Sequence, residues 1–200
     1  TGTTSQVTAA LVTDDTKVLA SSALVTISDA GTTNIDATDL SAIGGKTGGA
    51  VTVSNAVNIQ GNTAQVTAAL VTDETKVLAA NATVEISNDS TVAELNALAP
   101  KAGVITGSIA ATSLASLSGL ATAGTDLITI TVNDNAGDNL NATDLSALGG
   151  KTGGTVTVSN AVNIQGNTSQ VTAALVTNET KVVAANATVE ISNDSTVAEL

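Results

Sequence analysis

The 200 residues are 42% apolar, and all of that is Ala, Val, Leu and Ile, because Phe, Tyr, Trp, Met and Cys are absent. A core made from them is thin, since it lacks the aromatic side chains that each bury about 150–250 Å². His is missing too, and six Lys with no Arg stand against 18 acids for a net charge of −12. The composition therefore withholds the usual base, thiol nucleophile and anion clamp of an enzyme, disulfides and thiolate metal centres, and the basic patch that nucleic acid or an anionic membrane requires.

In chain order, the opening TGTTSQVT shows no basic or apolar leader pattern, so no signal peptide is expected. Thr3–Gln6–Val7 begins a recurring motif: a Ser, Thr, Asn or Asp, two residues, a short polar or acidic residue, and an apolar residue. It returns at Asp36–Asp39–Leu40, Asn62–Gln65–Val66, Thr91–Glu94–Leu95, Ser113–Ser116–Leu117, Asn141–Asp144–Leu145, Asn167–Gln170–Val171 and Thr196–Glu199–Leu200. This is the capping-box pattern, in which the first side chain caps a helix and the residue three later reaches back, with Ser116 its weakest member. Each predicted helix lasts about two turns, with Leu145 and Leu148 or Leu95 and Leu98 on one face, and then meets Gly149–Gly150 or Pro100. Alternating stretches follow at 51–53, 84–86, 128–132 and 156–158, predicting half-buried strands with Val and Ile inward and Thr or Glu outward. Corners such as 54–56 and 133–139, and second short strands such as 57–59, complete the pattern.

The chain also repeats at longer range. TVSNAVNIQG at 52–61 recurs at 157–166, 105 positions on, and 66–94 recurs at 171–199 with two substitutions. The step from Thr3 to Asp36 is 33 residues, whereas the matching step from Asn62 to Asn141 is 79. The 46 missing residues, about two motif lengths, leave the pattern in phase. A solenoid tolerates such a loss because each coil contacts only its neighbours, whereas tandem 105-residue sandwiches do not. The expected fold is an α/β repeat solenoid over 1–200, with coils of 22–33 residues starting near 3, 36, 62, 91, 113, 141, 167 and 196. Each coil carries a short capped helix and one or two short parallel strands. The second copy stops at Leu200 where the first runs on through Asn96 to Leu98, so a segment of a longer repetitive chain is expected.

Chemistry-bearing motifs read mostly as structure. GGKTGG at 44–49 and 149–154 lacks the leading glycine of a phosphate loop, with Leu40 and Leu145 there instead, and closes a helix rather than opening one. Asp134 and Asp138, in the Asn- and Asp-rich corner 133–139, are the candidate calcium ligands, although no EF-hand or calcium nonapeptide spacing is present. Asp73 becomes Asn178 in the second copy, so that carboxylate is replaceable. Outward threonines such as Thr129 and Thr131 suggest an ice-binding array less than they suggest ordinary strand preference. Asn-x-Ser/Thr triplets such as Asn81–Thr83 are potential glycan acceptors in a chain whose composition makes them common.

Phrases such as NATDLSALGGKTGGTVTVSNAVNIQGN and QVTAALVT make the whole chain resemble the giant repetitive cell-surface and secreted proteins of marine cyanobacteria, of the swimming-associated type. That resemblance implies an extracellular or cell-surface location and a structural or adhesive role. The expected function is a non-catalytic structural protein of an extracellular fibre or surface layer, self-associating head to tail. The alternative is the stalk of a calcium-dependent adhesin. No cofactor is expected beyond possible calcium, no nucleic-acid partner and no membrane span; divalent cations and glycans are the candidate accessories.

Overall fold

The computed structural model describes residues 1–13, 18–72, 74–177 and 181–194. Helices and strands alternate, every pairing between strands described below is parallel, and among the described residues no sheet closes into a barrel. Contacts divide the chain into two compact units, one of Thr1–Asp89 with Glu94–Gly107, the other of Ser90–Ala93 with the chain from Ser108 on. Helix α4 (Val92–Leu98), a 3₁₀ turn carrying Pro100 and strand β7 (Val104–Thr112) lie where the chain passes between them.

The first unit contains α1 (Thr4–Leu11), β1 (Val25–Ile27), β2 (Asn34–Asp36), α2 (Ala37–Gly44), β3 (Val51–Val53), β4 (Asn58–Gly61), α3 (Thr63–Leu70), β5 (Val77–Leu78) and β6 (Thr83–Ser90). Its strands form two rows, β1–β3–β5 and β2–β4–β6. In the first row Val25 pairs with Val51 and Val51 with Val77; in the second Ile35 pairs with Ile59 and Ile59 with Val84. Apolar residue therefore stacks on apolar residue, and Ile27, Leu40, Ile43 and Ile59 are fully buried. Helix α2 packs between α1 and α3, its Leu40 and Ile43 facing inward as the i, i+3 spacing requires.

The second unit repeats this plan with α5 (Leu114–Leu117), β8 (Leu127–Val132), β9 (Asn139–Asn141), α6 (Ala142–Gly149), β10 (Val156–Val158), β11 (Asn163–Gly166), α7 (Thr168–Leu175), β12 (Val182–Val183) and β13 (Thr188–Ile191). Its rows are β8–β10–β12 and β9–β11–β13, with Ile130 on Val156 on Val182 and Leu140 on Ile164 on Val189. Partners in one row are 26 residues apart in both units, as with Val25 and Val51 or Val156 and Val182. In the other row the steps are 24 and 25, as with Asn34, Asn58 and Thr83 or Asn139, Asn163 and Thr188.

Seven helices start on the residue after the predicted caps at 3, 36, 62, 91, 113, 141 and 167; the cap predicted at Thr196 lies outside the described residues. The reciprocal capping box forms at Thr3, Asn62 and Asn167, where a Gln follows three residues on. It does not form where that residue is Asp. Asp36 makes no side-chain cap, and Asn141 caps the N–H of Thr143 instead of meeting Asp144. Asp is one methylene shorter than the Glu or Gln that the motif uses, and at Asp36–Asp39 the closure would also bring two carboxylates close together. The Ser113–Ser116 pair caps after all, with the Ser113 hydroxyl oxygen accepting from the Ser116 N–H at 3.4 Å.

GGKTGG does more than stop a helix. Gly45 and Gly150 keep right-handed backbone, so left-handed freedom is not what the glycines supply there. A side chain on Gly49 would collide with the Ala23 carbonyl, and one on Gly154 with that of Ile128. Close backbone approach is the requirement. The buried threonines beside them act as clips. Thr47 donates its hydroxyl to the Ala23 carbonyl at 2.6 Å, while the Thr152 oxygen accepts from the N–H groups of Ile128 at 2.9 Å and Gly154 at 2.8 Å.

The 46-residue difference is legible in β1. Ile27 bridges to Gly2 as Ile86 pairs with Gly61 and Ile191 with Gly166, while Val25 pairs with Val51 as Ile130 pairs with Val156. One strand thus takes the preceding neighbour of the 84–86 stretch and the following neighbour of the 128–132 stretch. A strained position follows β1. Thr32 has φ 66° where the second copy has Gly137 at φ 86°, and both donate the same N–H, to Ala56 and Ala161. A β-branched residue in the left-handed region costs about 1–3 kcal/mol. Thr32→Gly is expected to stabilise the protein by about 1 kcal/mol, the strain relief less the entropy that glycine adds to the unfolded chain. Urea denaturation measures it: a higher midpoint at unchanged slope is expected, and an unchanged or lower midpoint would remove the strain.

Candidate functional site

The polar corners are where the chemistry-bearing residues collect. Each corner follows an inward Val or Ile with a Ser or Asn and then an Asp or Asn: Asp29 after Ile27–Ser28, Asn88 after Ile86–Ser87, Asp134 after Val132–Asn133, and Asn193 after Ile191–Ser192. All four do one job. Asp29 Oδ2 accepts from the Thr4 N–H at 2.6 Å and from its hydroxyl at 2.8 Å. Asn88 Oδ1 accepts from the Thr63 N–H at 2.7 Å, and Asn193 Oδ1 from that of Thr168 at 2.7 Å. Asp134 Oδ2 accepts from the Leu114 N–H at 2.7 Å. Each side chain thus reaches back 20 or 25 residues to satisfy the first N–H of an earlier helix, a donor that the helix itself leaves orphaned.

The next corner ties onto the same residues. The amide of Asn55 donates to the Asp29 carbonyl at 2.6 Å, and that of Asn160 to the Asp134 carbonyl at 2.7 Å. Ser54 donates to the carbonyl of Ile27 at 2.9 Å and Ser159 to that of Val132 at 3.2 Å. The SNA corner of the sequence is therefore a pair of side-chain ties to the strand end and corner before it.

The two candidate calcium ligands are both engaged by the backbone. Asp134 caps α5, and Asp138 Oδ2 accepts from the Asn135 N–H at 2.8 Å, closing its own turn. Asp134 has an equivalent in Asp29, whereas the position matching Asp138 is Thr33. Among the described residues no group of three acids gathers as a metal cluster would need. Beside Asp134 a groove of about 340 Å³ runs between α5 and α6, floored by Leu117, Leu120, Leu140 and Leu148.

A second polar constellation, missed in the sequence, lies on the exposed face of the other row. Asn58 Nδ2 donates to Asn34 Oδ1 at 3.0 Å and to Glu85 Oε2 at 3.1 Å, and Gln60 Nε2 donates to the same carboxylate at 2.6 Å. Asn163, Asn139, Glu190 and Gln165 repeat it at 3.0, 3.0 and 2.7 Å. The signal was present in VNIQG and VEI, where the outward positions carry Asn, Gln and Glu; only the register reveals that they meet. The amide donors, Gln60 then Asn58 on Glu85 and Asn163 then Gln165 on Glu190, hold both carboxyls below the usual 4.5.

Among the described residues no helix is long and apolar enough to cross a membrane. Comparison with protein families, with characterised proteins and with solved structures returned no match.

Two outcomes follow. Asp134→Asn is expected to keep the α5 cap, because Asn88 and Asn193 already perform that role, whereas Asp134→Ala loses about 1 kcal/mol. Urea denaturation of the two variants separates them; equal losses would mean that the charge, and not the acceptor, matters. For the glutamates, a folded pKa below the unfolded one means stability present above pH 4.5 and lost as pH falls through the folded value. Carboxyl NMR titration should place Glu85 and Glu190 below 4.5, and Glu85→Gln should weaken that acid dependence. Titration of both at or above 4.5 would mean that the amide ladder is absent in solution.

Proposed function

We propose that this chain is a structural protein, a repeat solenoid segment of an extracellular fibre or cell-surface layer with no catalytic role. The observation that carries the reading is the constancy of step: 26 residues in one row and 24 then 25 in the other, identical in both units. A constant step with parallel in-register pairing gives each layer the same two faces, so layers add without a new interface being designed for each. The side-chain economy agrees. Threonine clips, corner caps and amide ladders recur in both units and tie one step to another, and these contacts are spent on the chain itself. The absence of Cys, Met, Trp and Tyr removes the most oxidisable side chains, which suits a material outside the cell. The resemblance to giant repetitive surface proteins of marine cyanobacteria supports the same location.

Growth along the strand-pairing direction follows from the same geometry. Strands β2, β12 and β13 are each last in their sheets, and an outermost strand is the ordinary template for adding another, so head-to-tail self-association is the expected mode. The excess of acids keeps neighbouring fibres apart at low salt.

Cryo-electron microscopy and fibre diffraction of the native material, with and without a calcium chelator, test this. Continuous fibres with an axial spacing of about 4.8 Å, unchanged by chelation, are expected. Isolated beads, or fibres that dissolve when calcium is removed, would replace the structural reading by a calcium-dependent adhesin stalk.

A further inference from the structure

Seven Asn-x-Ser/Thr triplets lie in the chain, beginning at Asn81, Asn88, Asn141, Asn167, Asn178, Asn186 and Asn193. The fold sorts them. Asn88 and Asn193 are pinned at both ends of the amide: Oδ1 accepts from the Thr63 or Thr168 N–H, and Nδ2 donates to the Asp89 or Asp194 carbonyl. Asn141 and Asn167 are helix caps, their Oδ1 atoms accepting from Thr143 and Gln170. Asn178 lies outside the described residues. Asn81 and Asn186 differ: both are exposed, each at the third position of a tight turn closed by a backbone hydrogen bond, Ala82 N–H to the Ala79 carbonyl at 2.9 Å and Ala187 N–H to the Ala184 carbonyl at 3.1 Å. Thr83 and Thr188, which complete these triplets, open strands β6 and β13 immediately after the turn.

The turn itself does not need these residues. The chain makes it a third time at residues 20–23, where Ala23 donates to the Ala20 carbonyl at 3.2 Å, and there Ser22 and Leu24 stand in place of the Asn and the Thr. The same backbone forms without a triplet, so local structure leaves Asn81 and Asn186 unexplained.

We infer that Asn81 and Asn186 are acceptor sites for an N-linked glycan, added to the folded chain. The donor class is an oligosaccharide carried on a lipid pyrophosphate. Transfer requires the amide to twist out of conjugation so that Nδ2 attacks the anomeric carbon. The N–C bond forms as the bond from that carbon to the pyrophosphate oxygen breaks, the lipid pyrophosphate leaves, and one amide proton passes to a base of the transferase. An amide pinned as a cap has to break that cap first, whereas one projecting from a turn does not. The inference rests on the extracellular reading, because such transfer takes place on exported chains.

The test has two arms. In the first, the folded chain is incubated with a purified oligosaccharyltransferase that accepts the bare triplet and a lipid-linked oligosaccharide, and site occupancy is read by peptide mass spectrometry. Occupancy at Asn81 and Asn186 is expected to exceed that at Asn88 and Asn193 by about tenfold, the factor that breaking one cap hydrogen bond represents. Urea-unfolded chain should lose the preference, and the N81Q/N186Q variant should lose the two most occupied glycopeptides. Equal occupancy across the four sites in folded chain would overturn the inference. In the second, native protein is taken from the cell exterior by surface proteolysis and its peptides weighed. Glycan mass on the peptides carrying Asn81 and Asn186 supports the inference. Bare peptides from surface-exposed protein overturn it while leaving the location intact, and protein recovered only from inside cells overturns both.

Discussion

Parallel in-register pairing of strands about 25 residues apart is the constraint on which everything else depends. With only Ala, Val, Leu and Ile to bury, no single side chain removes much surface from water, so stability has to come from stacking like on like. A register slip of one residue would turn every Val and Ile of a short strand to solvent and every Thr, Asn or Glu inward. Three-residue strands such as β1, β3 and β10 have too few ladder bonds to hold that register alone. Polar side chains hold it for them.

Those side chains act at three kinds of place. The Thr47 and Thr152 clips, with the adjoining glycines, draw the turn after a helix onto the strand entrance one step earlier. The corner residues Asp29, Asn88, Asp134 and Asn193 tie a strand end to the start of the helix before it. The amide ladders on Glu85 and Glu190 join three successive strands on the outside. Each tie spans a similar sequence distance, and β1 combines, on its two sides, pairings that belong to two different strands of the second copy. The local cost falls on Thr32, which inherits a conformation suited to glycine.

This arrangement also gives the corner residues a structural task. Aspartates and asparagines at a loop resemble ligand sets for a cation, but their oxygens already accept backbone donors that folding would otherwise leave unsatisfied. Asp134 and Asn193 occupy equivalent corners with the same geometry, so the requirement is an acceptor and not a charge. A polar residue repeated at every step is most economically read as part of the construction. The exceptions are residues that a sister turn omits, and among the described residues Asn81 and Asn186 are two such cases.

Local pattern was enough for the alternation of helices and strands and for the positions of the caps. Helix starts after Thr3, Asn62 and Asn167 and inward faces at Val51, Val53, Ile128 and Ile130 are decided within a few residues, because capping and period-two burial are short-range physics. The 105-residue repeat likewise announced that the same structure is made twice. Other features needed the fold. The Asp-containing caps failed because side-chain reach, not residue class, closes a capping box. The glycines of GGKTGG looked like helix stops, yet their use is set by a backbone that approaches from 20 or more residues away. Asn58, Gln60 and Glu85 are ordinary outward residues until parallel pairing brings them onto one carboxylate. Sequence by itself determined which residues turn inward and where each helix begins, since those depend on neighbours in the chain; tertiary structure alone decided which polar groups meet, since that depends on register across a distance no local pattern measures.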